Sequence, residues 1–241
     1  MKSPLRYPGG KTKAINILFE ILNKYDKLLS PFCGGCSFEF KLIESLPNLK
    51  SVILNDLFKP LILFWQQVKC NNGNHQLVKD LKQLVGKVDK LTFDGYREDI
   101  TYFLNSNNSK FSSDSSDLYI AEIYFIINRC SFSGATLSGG FSSSAAEKRF
   151  TLISKLNNKL NNVMFECQDF SNILSNQQYD ENTFIFCDPP YYLGSNSKLY
   201  DVRGDLHENF NHQLFHDLIT KQTTCNWMIT FIYVNYIKTI K

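Results

Sequence analysis

The stretch that most limits what this chain can fold into is Thr183-Phe184-Ile185-Phe186-Cys187, followed at once by Asp188-Pro189-Pro190-Tyr191. The apolar, β-prone run reads as a buried strand. Pro189 fixes its own φ and pushes Asp188 away from the helical region, and Pro190 does the same to Pro189. The strand must therefore stop there, leaving a carboxylate, two carbonyls and an aromatic ring at its carboxyl end. In open α/β sheets that end is where ligands bind. Taken alone, the four residues read equally well as a strand end with Asp188 as a turn or cap residue.

Composition places the chain in a broad class. At 241 residues and 43% hydrophobic content it is expected to be one soluble domain carrying an insertion. No apolar run approaches the roughly 20 residues of a membrane span, and no apolar signal core follows Met1. The seven cysteines are expected as reduced thiols in a cytoplasmic setting. Cys33 and Cys36 have redox or metal spacing, but no second pair or nearby histidine completes a zinc site, so no metal is expected. The net charge of +3 says less than its distribution. Lys2, Arg6, Lys11, Lys13, Lys24 and Lys27 crowd the first 30 residues, and Lys148, Arg149, Lys155 and Lys159 form a second cluster. Such clusters suit a phosphate backbone, and each is also compatible with a solvated helix face.

Along the chain, Tyr7-Pro8-Gly9-Gly10-Lys11 is a tight loop running into an amphipathic helix through Ile15, Leu18, Phe19 and Leu22. Leu28-Leu29-Ser30 reads as a first strand, Pro31 to Cys36 as the glycine loop after it, and Ser37 as the cap of the next helix. Gly34-Gly35 lets the backbone approach a ligand closely. Ser51 to Leu54 forms a second strand ending in Asn55-Asp56; an acidic residue about 20 positions beyond a glycine loop is the usual partner of a ribose diol. A helix is expected over 57–69 with Pro60 in its first turn. Asn71-Asn72-Gly73-Asn74 is expected as a turn, followed by helices near 75–86 and 93–104, a polar low-complexity stretch over 105–116, and an apolar helix from Leu118 to Ile127. A Gly/Ser-rich loop runs from Asn128 to about Ala145. The α/β pattern resumes with a strand at Val163 to Glu166, the strand into Asp188, a loop holding Arg203, a helix near 209–221 and a strand at 226–231. Residues 1–69 and 161–241 are thus one α/β unit, interrupted by an insertion over 70–160.

The chemistry suited to Asp188 is that of a planar amine. An exocyclic amino group on a nucleobase is a poor nucleophile because its lone pair is delocalised into the ring. Asp188 and the Pro189 carbonyl can accept its two N–H bonds, freeing the lone pair, while Tyr191 offers a face for a flipped base.

Tyr7-Pro8-Gly9-Gly10-Lys11, Pro31-Phe32-x-Gly34-Gly35, Asn55-Asp56, Asn128-Arg129-x-Ser131-Phe132-Ser133-Gly134, Asp169-Phe170 and Asp188-Pro189-Pro190-Tyr191 occur in this order. Together they resemble the Dam-like (D12 class, alpha-type) DNA adenine-N6 methyltransferases over nearly the whole chain. The resemblance implies a Rossmann-like methyltransferase sheet with an inserted, mainly helical target-recognition domain, S-adenosyl-L-methionine as methyl donor, and adenine in double-stranded DNA as acceptor. It implies that Tyr7 and Lys11 contact the donor, that Phe32, Gly34 and Gly35 line its loop, and that Asp56 takes its ribose hydroxyls. Asp169 and Phe170 would meet its adenine, with Asp188 beside it. Asp188, Pro189, Pro190 and Tyr191 would form the catalytic loop. Asn128, Arg129, Ser131, Ser133 and Gly134, with Arg203 from the later loop, would meet DNA. A monomer is expected.

Two departures stand out. Members of this family often carry a small third residue, commonly Gly, where Cys36 stands, and a side chain there resists positive φ. The chain also reaches Lys241 soon after the strand at 226–231, where the family usually adds a final strand pair, and Thr230-Phe231-Ile232-Tyr233 lacks its polar pattern. The competing expectations are therefore an active enzyme and a DNA-binding relic of one. A methyltransferase for RNA or a protein amide is a third, disfavoured by Asp rather than Asn at position 188 and by the large insertion.

Overall fold

The computed structural model describes residues 1–6, 22–84, 86–105, 114–142, 149–175, 179–190 and 210–230. Five strands, β1 (Lys27–Ser30), β2 (Ser51–Asn55), β3 (Val163–Glu166), β4 (Thr183–Cys187) and β5 (Asn226–Ile229), form one sheet in the order β3-β2-β1-β4-β5. Every neighbouring pair is parallel. The helices among the described residues are α1 (Ser37–Ser45), α2 (Lys59–Lys69), α3 (Asn71–Leu84), α4 (Lys90–Asn105), α5 (Asp114–Cys130), α6 (Phe150–Leu156), α7 (Phe170–Ser175) and α8 (His212–Thr220).

Successive strand residues point to opposite faces, and a parallel sheet is stable only when both are covered. Leu28, Val52, Leu54, Phe184 and Phe186 accordingly join one apolar cluster, with Phe38 and Phe40 of α1 and Leu61, Phe64 and Trp65 of α2. Leu29, Ile185 and Cys187 join a second, closed by Phe170, Ile173 and Leu174 of α7 and Phe215 and Ile219 of α8. All of Thr183 to Cys187 is buried, as a strand in the middle of a covered sheet must be. The result is the expected Rossmann-like α/β fold.

Topology then positions the site. From β1 the chain steps outward to β2 and β3, then returns across β1 to place β4 and β5 on the other side. The strand order reverses between β1 and β4, and at such a reversal the connections leave in opposite directions and open a crevice at the carboxyl ends. The glycine loop follows β1 and Asp188 follows β4, so both border this crevice.

The insertion differs in detail from expectation. Asn71 to Asn74, expected as a turn, is the first turn of α3. The Asn74 N–H donates to the Cys70 carbonyl at 2.6 Å, and its buried side-chain amide donates to the Val68 and Ile153 carbonyls at 2.9 and 3.0 Å. Asn74 thus satisfies carbonyls at the end of α2 and in α6, and that tertiary bonding overrides a turn-prone composition. Helix α5 runs on through Asn128, Arg129 and Cys130, which were expected in a loop, because its apolar face is locked against α2. Phe64 stacks on Phe125 at 5.5 Å between ring centroids and meets Tyr124 at 6.2 Å. Leu77, Phe93, Ile100 and Ile123 of the insertion belong to the same apolar cluster as Val52 and Phe186 of the sheet.

The expected helix through Ile15 to Phe19, most of the low-complexity stretch, the loop holding Arg203 and everything after Thr230 lie outside the described residues. No helix of the described residues is long and apolar enough to cross a membrane.

Candidate active site at the carboxyl edge of the sheet

The loop after β1 is shaped by two left-handed residues, Gly34 (φ 46°) and Cys36 (φ 53°). Glycine takes such a φ freely; cysteine does so at a cost. Cys36 is the N-cap of α1 and supplies no side-chain cap, so Ser37, expected as the cap, is instead the first helical residue. The loop is held from three sides. The Gly34 N–H donates to Asp56 Oδ2 at 3.0 Å, its carbonyl accepts the Trp65 indole N–H at 3.1 Å, and the Cys33 N–H donates to the Asn55 carbonyl at 2.8 Å.

Asp56, just past β2, also accepts the Phe58 N–H at 3.0 Å through Oδ1. Burial pushes its carboxyl pKa up, against the pull of the backbone N–H groups of Phe58, Gly34 and Leu57. Each carboxylate oxygen has two acceptor positions, so these two side-chain contacts leave capacity for a hydroxyl donor. Asn55 beside it ties strand ends together. Its amide donates to the Pro31 carbonyl at 2.9 Å and the Gln168 carbonyl at 3.0 Å, and its Oδ1 accepts the Gln168 N–H at 3.0 Å. Nothing in the Asn55-Asp56 motif alone points to this bridging part.

Past β3, Asp169 caps α7, accepting the Ser171 N–H at 2.8 Å. Phe170, which opens α7, and Phe32 of the glycine loop, over 130 residues apart in the chain, meet at 5.7 Å. Phe210 and Phe215 complete a four-ring cluster, at 5.6 and 5.5 Å from Phe32. Phe210 and Phe215 carried no signal in the sequence beyond being apolar.

Past β4, the Asp188 carboxylate accepts a hydrogen bond from the Thr230 hydroxyl, and the Thr230 N–H donates to the Cys187 carbonyl at 2.9 Å. The end of β5 thus grips the end of β4. Glu39 of α1 is a second residue that sequence reasoning missed. It is buried and accepts the Ser30 hydroxyl at 2.8 Å. Burial, opposed by hydrogen bonds from its own backbone N–H and from Ser30, pushes its pKa up to about 8, and the Asp188 and Asp56 charges push the same way. One carboxyl beneath the edge is thereby kept neutral at pH 7.

Phe32, Gly34, Gly35, Asp56, Asp169, Phe170, Asp188, Pro189 and Pro190 all lie along this one edge, at the ends of β1 to β4. Tyr7, Lys11, Tyr191 and Arg203 lie outside the described residues, as does the side chain of Ser133. Asn128 is wholly buried and pairs with the Arg6 backbone in both directions, accepting its N–H at 2.8 Å and donating to its carbonyl at 2.7 Å. Ser131 is also buried; its hydroxyl accepts the Thr136 N–H at 3.0 Å. Gly134, at φ 75°, abuts Arg6 so closely that a Cβ there would sit 2.5 Å from the Arg6 Cβ. Arg129 is 5% exposed, and desolvation, then the nearby charges of Arg6 and Arg149, lowers its pKa to about 10. Phe132 instead stands 71% exposed at the head of this loop. Among the described residues no group of three His, Cys, Asp or Glu side chains is placed to hold a metal ion.

The family model for D12 class N6 adenine-specific DNA methyltransferases matches residues 7–240. The chain belongs to that family. Within it, the chain is similar to the Type II methyltransferase M.FokI of Planomicrobium okeanokoites, 24% identical over 219 residues, covering 82% of this chain and 30% of that protein. It is also similar to the modification methylase LlaI of Lactococcus lactis subsp. lactis, 21% identical over 194 residues, covering 80% of this chain and 30% of that protein. The chain thus spans about three tenths of the length of these curated relatives.

Proposed function

We propose that this D12 family chain transfers a methyl group from S-adenosyl-L-methionine to N6 of an adenine flipped out of duplex DNA, as a modification enzyme. The observation that carries the reading is Asp188 at the carboxyl end of β4, beside the reversal of strand order between β1 and β4, with its carboxylate held by the Thr230 hydroxyl. The residues present suit an adenosyl group: Asp56 has acceptor capacity for a diol, and Phe32 and Phe170 offer apolar ring faces beside it. When bound there, S-adenosyl-L-methionine supplies an electrophilic methyl group. Asp188 and the Pro189 carbonyl would accept the two N–H bonds of the adenine amine and free its lone pair for attack on the methyl carbon; the surplus proton of the methylated, now acidic amine would pass to water, so no strong general base is needed. The hydroxyl of Thr230 fixes which way the carboxylate faces. Tyr191 stacks on the extruded base, Tyr7 and Lys11 hold the donor, and Phe132 and Arg203 meet DNA.

Tritium transfer from labelled S-adenosyl-L-methionine to unmethylated duplex DNA tests this. Transfer is expected in the wild type and is lost in Asp188→Ala; undiminished transfer in that variant overturns the assignment. Competition among duplex DNA, RNA and peptide as acceptors separates the substrate classes.

A further inference from the structure

A groove of about 620 Å³ lies between the N-terminal segment, α1 and α6, and its lining reaches Ser37, the first residue of α1 after the glycine loop. It is lined by the cations Lys2, Lys41, Arg149, Lys155 and Lys159 and by one carboxylate, Glu44. That carboxylate is engaged by the Met1 ammonium and, at 3.2 Å, by Lys41. Lys2, Lys155 and Lys159 are exposed. The fold has therefore brought Lys2 and Lys41 of the N-terminal part together with Arg149, Lys155 and Lys159, more than 100 residues later in the chain. Five cations around one paired carboxylate make a surface that attracts a polyanion, and a concave wall strengthens that field.

The groove also continues the surface assigned to DNA. Arg149 lies close enough to Arg129 for its charge to act on it, and Arg129 lies in the last turn of the helix that leads into the Phe132 loop. We propose that this groove is a second phosphate-binding surface, which takes the backbone of duplex DNA flanking the target adenine. It rests on the methyltransferase reading above and adds a footprint beyond the target site. Lysines contribute here as point charges against phosphate, with no sequence preference.

The test uses the full chain, mixed-sequence DNA duplexes of one and three helical turns, and a salt titration. Replacing Lys2, Lys155 and Lys159 together by Ala is expected to weaken binding of the three-turn duplex about tenfold at physiological salt and to reduce the log–log salt slope by about 2 to 3. Binding of the one-turn duplex is expected to fall less, because a shorter duplex offers the groove fewer phosphates. Glu44→Gln, which frees cations instead of removing them, is expected to tighten the three-turn complex. Unchanged slope and affinity in the triple variant, with methyl transfer by the wild type intact, overturns the groove alone. Absence of methyl transfer by the wild type overturns the parent reading and this inference with it.

Discussion

Glu39 sets a pH dependence that no surface carboxylate would. Its folded pKa of about 8 lies above the ordinary glutamate value of 4.5, so between these limits the folded state holds a proton the unfolded state has released. Stability from this group is complete below about pH 4.5 and is lost as pH rises through about 8. Glu39→Gln keeps an acceptor for Ser30 and removes the titration. The variant is expected to gain on the wild type by up to about 1.4 kcal/mol per pH unit across that window, read by urea unfolding at several pH values. Cys36 offers a second test. A β-branched side chain at its positive φ is disfavoured more than a thiol, so Cys36→Val is expected to lose more than about 2 kcal/mol, whereas Cys36→Gly trades lost packing for relief of strain and stays within about 1 kcal/mol. Phe132 tests the DNA surface. Phe132→Ala is expected to leave thermal stability unchanged and to slow transfer to duplex DNA about tenfold, with recovery on a mismatched target where unstacking is already done. The proline-locked carboxylate was legible because Pro189 and Pro190 act on their immediate neighbours. Glu39 and Thr230 were not, because Ser30 and Asp188 reach them only through the fold.

At the scale of elements, the strands were readable because burial on two faces demands unbroken apolar runs, which Thr183 to Cys187 and Ser51 to Leu54 supply. The helices of the insertion were readable in kind and not in extent. Asn71 to Asn74 has turn composition, and only the carbonyls of Val68 and Ile153, supplied by other parts of the fold, turn Asn74 into a helix-stabilising residue. The same holds for Asn128, assigned to DNA from resemblance and found paired to the Arg6 backbone. Its consequence is measurable: Asn128→Ala is expected to cost about 2 kcal/mol of stability and to leave the salt slope of DNA binding unchanged, since no phosphate contact is removed. The α2–α5 seam is the stronger joint. Truncating Phe64, which lies between Trp65 and Phe125, is expected to cost about 3–5 kcal/mol in chemical denaturation.

For the molecule as a whole, a core cluster that spans sheet and insertion implies that neither melts alone. Far-ultraviolet dichroism and tryptophan fluorescence are expected to follow one coincident transition, since Trp65 sits in that cluster and Trp227 on β5; two resolved transitions would show separate units. Thiol titration gives an independent view of the same packing. All seven cysteines are free, with Cys70 exposed, Cys167 intermediate and five buried. Cys70 is expected to react first and the buried five only on unfolding. The hydroxyl bonded to Asp188 comes from just past β5, the last of the described strands along the chain. During synthesis, then, the cofactor loop and most of the core emerge from the ribosome before the group that aims the carboxylate. On the proposed reading, competence for methyl transfer arrives only when β5 docks.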